Sequence, residues 1–178
     1  NCNDKGEVDI DEIKKLISNK TKIIAITHLS NVTGAIMPIK KIVDLANTKK
    51  IPVLIDGCQG APHLEIDMQE LGCDFYAISC HKMYGPTGVG VLYAKKKWLD
   101  ILPPYQGGGG MIEEVKKDKI TFPESPTKFE AGTLQTAEVV GFSESIRFIQ
   151  DVGIKNIMEH EKEILEYGLD EIKKNNSV

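Results

Sequence analysis

The sequence predicts an α/β protein built on a mostly parallel sheet with helices on both faces. The first observation is that residues 23–26, 51–55 and 75–78 are apolar runs of strand length, nearly unbroken by polar residues. The second is that helical apolar spacing fills the intervals between them, the rhythm of strands joined by crossover helices. The third is that each run stops at a polar cluster: His28 to Asn31, Asp56 to Gln59, and Ser79 to Lys82. Ligands of such sheets bind at the carboxyl ends of the strands, so the clusters are expected to converge on one crevice.

The elements follow in order. Ile13, Leu16 and Ile17 recur at helical spacing from Asp11, and the helix ends at Ser18-Asn19. Residues 22–27 form the first strand and lead into the polar loop 28–34. Pro38 is suited to a first helical turn, and Ile39, Ile42, Val43 and Ala46 share one face of the helix it opens, which closes at Lys49-Lys50. The second strand, 51–55, stops at Asp56-Gly57, and a short helix around residues 68–71 precedes the third strand at 75–78. Residues 88–93 read as a fourth strand, antiparallel to the third across a Gly-Pro-Thr-Gly corner. Trp98 and Leu99 belong to a short helix.

Residues 107–110 are four glycines with no Gly-Lys-Ser/Thr after them, which favours flexibility or tight backbone packing over a nucleotide loop. The charged, proline-punctuated segment 113–128 is expected to be a surface loop. Helices over 136–152 and 154–174 carry apolar faces that are expected to pack on a core. No internal repeat is present.

Composition narrows the function classes. Hydrophobic residues make up 41% and charged residues 27% of 178, with a net charge of −4 and no basic face, which argues against a nucleic-acid partner. No apolar run approaches a membrane span, and no signal peptide precedes the first strand, so a cytoplasmic or organelle-matrix protein is expected. Cys2, Cys58, Cys73 and Cys80 are too scattered for a disulfide framework and read as reduced thiols. Cys58, Cys73, Cys80 and His81 match no zinc spacing, so no metal is expected. The chain starts at Asn1 and ends in a lysine- and asparagine-rich stretch, and it reads as part of something longer.

One constellation carries chemistry. A lysine at one strand end, Lys82, and a carboxylate with an amide three residues on at another, Asp56 and Gln59, suit pyridoxal 5'-phosphate. A lysine amine condenses with the aldehyde of this cofactor, and a carboxylate facing the pyridine nitrogen keeps it protonated, so that the ring accepts electrons. Gln59 is able to donate to the phenolate oxygen, and Ser79 and His81 to the phosphate. Taken singly, Asp56 is a turn former before Gly57, Gln59 a surface amide and His81 a loop imidazole. Their joint spacing is what points to the cofactor.

The strings IDGCQG, ISCHKMYGPTGVGVLY, PPYQGGGGMI and FEAGT, in this order, resemble the class V aminotransferase family, and among its members most resemble the SufS-type cysteine desulfurases. The resemblance runs through nearly the whole chain, and Ser-x-His-Lys-x-Tyr-Gly-Pro-x-Gly is its most specific part. It implies the type I pyridoxal-phosphate transferase fold, incomplete at both ends. Residues 1–150 would belong to the cofactor-binding large domain, and residues 151–178 would lead to a missing C-terminal small domain. Lys82 is implied to hold the cofactor covalently and to move protons at the substrate α-carbon.

The same resemblance pairs Asp56 with the pyridinium and Gln59 with the phenolate oxygen, and gives Ser79 and His81 the phosphate. It puts Asn31 near the phenolate oxygen and the substrate carboxylate. Thr133 is implied to reach the phosphate in the partner subunit of a homodimer. The implied reaction converts L-cysteine to L-alanine and passes sulfur, as a persulfide, to an acceptor protein of iron–sulfur cluster assembly.

The sequence departs from the family pattern at Cys80, where glycine is usual, and at Leu134, where proline is common. The family's ring-stacking histidine, persulfide-forming cysteine and substrate-gripping arginine have no match, and the only arginine, Arg147, lies on an amphipathic helix. The alternatives are another class V enzyme (a selenocysteine lyase, a kynureninase-like hydrolase or an aminotransferase) or a non-catalytic piece that keeps only the fold and the interface.

Overall fold

A computed structural model describes residues 2–175. Its centre is a four-stranded sheet of β1 (Ile24–Thr27), β2 (Val53–Asp56), β3 (Phe75–Ser79) and β4 (Gly90–Ala94), arranged in that order. The first three strands are parallel and β4 runs antiparallel to β3, as the apolar runs and the Gly-Pro corner predicted. Register aligns Thr27 with Asp56 and Asp56 with Ala77, so the polar ends of the parallel strands emerge on one edge.

Between β1 and β2 lies α2 (Ile39–Thr48), whose buried residues Ile39, Ile42, Val43 and Ala46 follow the i, i+3, i+4, i+7 spacing of one face. That face meets Val53, Ile55 and Tyr76 of the sheet, together with Met37, Ile51 and Cys73, to form the core. Each fully buried branched side chain there contributes roughly 1.5–3 kcal/mol. The short helix α1 (Ile10–Leu16) is capped by Asp9, whose carboxylate accepts from the Asp11 N–H at 2.8 Å. A four-residue α3 (Gly60–His63), which the sequence did not suggest, follows β2, and α4 (Met68–Leu71) precedes β3.

A buried carboxylate fastens the far edge of the sheet. Asp74 is 2% exposed and accepts from Trp98 Nε1–H at 2.7 Å and from the Val53 N–H at 3.1 Å. Lys97 stands 2.9 Å from the same carboxylate and Lys95 3.7 Å. These contacts tie β2 and β3 to α5 (Lys96–Ile101).

Three expectations are corrected. The sheet is not covered on both faces throughout: successive residues Val91 and Leu92 of β4, which point to opposite faces, are both exposed, because no helix of the described residues packs closely over this strand. The segment expected as a surface loop contains a small hairpin of β5 (Glu114–Val115) and β6 (Ile120–Thr121), though it lies on the surface as expected. The long helices α6 (Thr136–Val152) and α7 (Ile154–Lys174) have the predicted bounds, but only Phe142 and Ser145 of α6 and Ile157 of α7 are buried. Val140, Leu165 and Ile172, expected to pack on a core, are exposed. Among the described residues no helix is long and apolar enough to cross a membrane.

Candidate active site

Each strand end delivers its cluster through a short backbone device. After β1 the chain turns back on itself: the Ser30 N–H donates to the Ala35 carbonyl at 3.0 Å, and the Ser30 hydroxyl accepts from the Val32 and Thr33 amides at 3.2 Å. Asn31 sits exposed in this turn. After β2 the exposed Asp56 carboxylate accepts the Cys58 N–H at 3.0 Å, an Asx turn. Gln59 then occupies the N-cap position of α3, half-buried and with no side-chain cap bond.

After β3 the chain tightens into a 3-10 turn over Cys80–Lys82, with Ser79 Oγ 2.9 Å from His81 Nδ1. Lys82 is half-buried, and its amine has neither a hydrogen bond nor an ion pair among the described residues.

Burial pushes the Cys58 thiol up; its hydrogen bond and charge interaction with Asp56 push the same way, and Lys82 pulls weakly against them. Burial likewise raises the Cys80 and Cys73 thiols, with Lys95 opposing at Cys73. These thiols therefore stay protonated at neutral pH and are poor nucleophiles. Among the described residues no group of three or more His, Cys, Asp or Glu is arranged to hold a metal ion.

Beneath the 56–60 turn lies a buried pair that the sequence reading left unused. His28 Nδ1 is 2.9 Å from the Tyr76 hydroxyl, and the two rings meet edge to face at 5.9 Å. A Cβ on Gly57 would strike the Tyr76 ring, and one on Gly60 would lie 3.0 Å from both the His28 ring and the Tyr76 hydroxyl. Glycine at these two positions lets the turn rest directly on the aromatic pair. The spacing of the glycines in IDGCQG was the available signal.

Thr133 stands apart on an exposed segment and makes no hydrogen bond to the strand-end residues. Its neighbours meet the glycine run: the Gly132 N–H donates to the Gly109 carbonyl at 2.8 Å, and a Cβ on Gly108 would lie 3.0 Å from Ala131 Cβ. Tight packing accounts for Gly108 alone; Gly107, Gly109 and Gly110 have open space around them, and Gly110 adopts a left-handed φ of 77°.

The crevice expected at the strand ends is open. Asn31, Asp56, His81 and Thr133 are exposed, and an apolar cavity of about 480 Å³ lined by Ala61, Ile66, Tyr76, Met83 and Ile149 includes none of the candidate residues. The donor set nonetheless fits pyridoxal phosphate. It offers an unpaired amine at one strand end, an exposed carboxylate at the next, and a hydroxyl–imidazole pair in the turn that carries the amine.

Fold and strand-end cluster together define an α/β protein whose candidate residues Asn31, Asp56, Gln59 and Lys82 lie at or just beyond the carboxyl ends of the parallel strands. The whole chain, residues 1–178, matches the aminotransferase class-V family, and the protein belongs to it. It is 48% identical over 167 residues to a probable cysteine desulfurase of Halalkalibacterium halodurans, covering 94% of this chain and 41% of the relative. It is 46% identical to a cysteine desulfurase of Wigglesworthia glossinidia brevipalpis, covering 94% and 42%. The chain spans about two fifths of the length of these relatives.

Among solved structures, the cysteine desulfurase CsdA of Escherichia coli superposes with a TM-score of 0.90 at 38% identity, covering 94% of this chain and 42% of that one. A cysteine desulfurase from Thermococcus onnurineus NA1 gives 0.85 at 33% identity, covering 95% and 43%.

Proposed function

We propose that the full protein is a pyridoxal-phosphate-dependent cysteine desulfurase of the SufS type, which converts L-cysteine to L-alanine and hands on the sulfur as a persulfide for iron–sulfur cluster assembly. The observation that carries this reading is the unpaired Lys82 amine after β3, with the Asp56 turn at the end of the neighbouring parallel strand β2. The kinship with cysteine desulfurases supports the choice of substrate.

In this reading Lys82 would hold the cofactor through its amine and would move the proton at the substrate α-carbon. Asp56 would pair with the ring nitrogen and keep it protonated. Gln59 donates to the phenolate oxygen, and Asn31 lies near that oxygen and the substrate carboxylate. Ser79 and His81 hold the phosphate, and Thr133 of the partner subunit completes its binding in a homodimer. The cofactor, when bound, supplies the sink for the electrons left at the α-carbon.

Sulfur transfer requires a reactive thiolate to attack the substrate sulfur as the carbon–sulfur bond breaks. The carbon skeleton then takes up protons and leaves as alanine. Cys58, Cys73 and Cys80 are unsuited, since their thiols stay protonated and two of them are buried, and the exposed Cys2 lies bridged to Val8 ahead of α1, outside the strand-end motifs. The nucleophile is therefore assigned to a part of the protein beyond these residues. In this reading residues 1–150 belong to the cofactor-binding large domain, and residues 151–178, the last three of them outside the described residues, lead toward a C-terminal small domain.

The test is to incubate the full-length protein with pyridoxal phosphate and L-cysteine while following alanine and sulfide. Alanine formation that is lost in Lys82→Ala supports the reading. Formation of pyruvate or of a transamination product in place of alanine contradicts it.

A further inference from the structure

The turn that carries Asp56 and Gln59 is gripped from below at several points. The His28 N–H donates to the Asp56 carbonyl at 2.8 Å, and the Gly57 N–H donates to the carbonyl of Ala77, the residue after Tyr76, at 2.9 Å. Tyr76 is wholly buried and His28 nearly so, and they share the 2.9 Å hydrogen bond described above. Gly57 leaves no space between the turn and the Tyr76 ring, and Gly60 almost none between α3 and the His28–Tyr76 contact. A platform packed this closely transmits a small displacement instead of absorbing it.

We propose that His28 and Tyr76 are positioning residues that set the height and tilt of the Asp56–Gln59 turn, and so fix the Asp56 carboxylate at the cofactor ring. The inference rests on the cofactor reading above and deepens it. Neither side chain touches the cofactor in this account; both act through the turn. Burial lowers the His28 imidazole, which therefore stays neutral near pH 7, and raises the Tyr76 phenol, which keeps its proton. The platform thus places no cation beneath Asp56, and the carboxylate remains available to the ring nitrogen.

The experiment uses the full-length protein loaded with pyridoxal phosphate and has two readouts besides turnover: the cofactor dissociation constant, and the pH at which the visible band of the bound cofactor changes. Asp56→Asn provides the reference shift. Tyr76→Phe keeps the ring under Gly57 and removes only the hydroxyl. It is expected to raise the dissociation constant by about fivefold, the scale of one lost buried hydrogen bond, and to move the band midpoint in the same direction as Asp56→Asn.

His28→Leu is expected to act likewise, and His28→Asn, which restores a hydrogen-bonding atom near Nδ1, to recover most of the loss. A lower melting temperature with unchanged midpoint and affinity in Tyr76→Phe overturns the proposal. If Tyr76→Phe does not fold, the His28→Leu and His28→Asn comparison decides, and equal behaviour of those two overturns it. Wild-type protein that binds no pyridoxal phosphate overturns the cofactor reading itself and the platform with it. Wild-type binding with indifferent variants overturns the platform alone.

Discussion

Ser79 Oγ and His81 Nδ1 lie 2.9 Å apart at the end of β3, immediately before Lys82, so the hydroxyl and the imidazole form one unit beside the amine and not two independent donors. Asp56, on the neighbouring strand, shares no hydrogen bond with that unit. The two groups should therefore fail differently. His81→Ala is expected to raise the cofactor dissociation constant about tenfold, the scale of a lost charge-assisted contact, with little change in turnover per bound cofactor. Asp56→Ala is expected to keep much of the cofactor and lose turnover. Equilibrium dialysis with turnover per bound cofactor separates these outcomes; equal loss of cofactor in both variants, with unchanged turnover, contradicts the division.

Asp74 gives a pH signature of stability. Burial alone would push its carboxyl up, but hydrogen bonds from Trp98, Lys97 and the Val53 N–H, with the Lys95 charge, outweigh it and hold the carboxyl below its ordinary 3.8. A lowered folded-state value means that the ionised carboxylate stabilises the fold above the ordinary carboxylate range, and that this contribution fades as pH falls through the folded value. Asp74→Asn is expected to cost about 1–3 kcal/mol at pH 7. Urea unfolding across pH should show the gap from wild type closing below pH 4.

The thiols should be sluggish. Since the Cys58, Cys73 and Cys80 thiols are all raised, their alkylation by iodoacetamide, read by peptide mapping apart from the exposed Cys2, is expected to be slow at pH 7 and to rise only as pH climbs past the usual thiol range. Cys58→Ser and Cys80→Ala in the full-length protein should retain alanine formation. Loss of alanine in either variant, with cofactor still bound, would place the sulfur-accepting thiol inside this chain.

Tyr84 has a left-handed backbone, φ 59°, two residues after Lys82, and its ring meets Phe148 edge to face at 5.4 Å. The ring contact offsets a backbone conformation that costs an ordinary L-residue roughly 1–2 kcal/mol. Tyr84→Ala loses the ring and keeps the strain, whereas Tyr84→Gly loses the ring and relieves the strain. Thermal unfolding should show Tyr84→Gly the more stable of the two by about 1 kcal/mol.

What the sequence revealed follows from what apolar spacing encodes. The runs at β1, β2 and β3 and the stripe Ile39, Ile42, Val43 and Ala46 were legible because burial imposes a period on neighbouring residues. The helix Gly60–His63 was not, since Gly-Ala-Pro-His has no helical signature and is held by backbone bonds from Ala61 to Gly57 and from Leu64 to Gly60. The β5–β6 hairpin was hidden by strands of two residues each. Periodicity predicted the apolar faces of α6 and α7 but could not say what covers them. Lys82, Asp56 and Gln59 stood out because strand ends expose chemistry. His28 and Tyr76 did not, because their meeting is a contact 48 residues apart in sequence.

The central claim is that Lys82 carries the cofactor. Full-length protein loaded with pyridoxal phosphate, reduced with borohydride, digested and mapped by mass spectrometry should show the pyridoxyl group on the peptide containing Lys82, and no labelled site in Lys82→Ala. A pyridoxyl group on any other lysine of the wild-type protein would contradict the account.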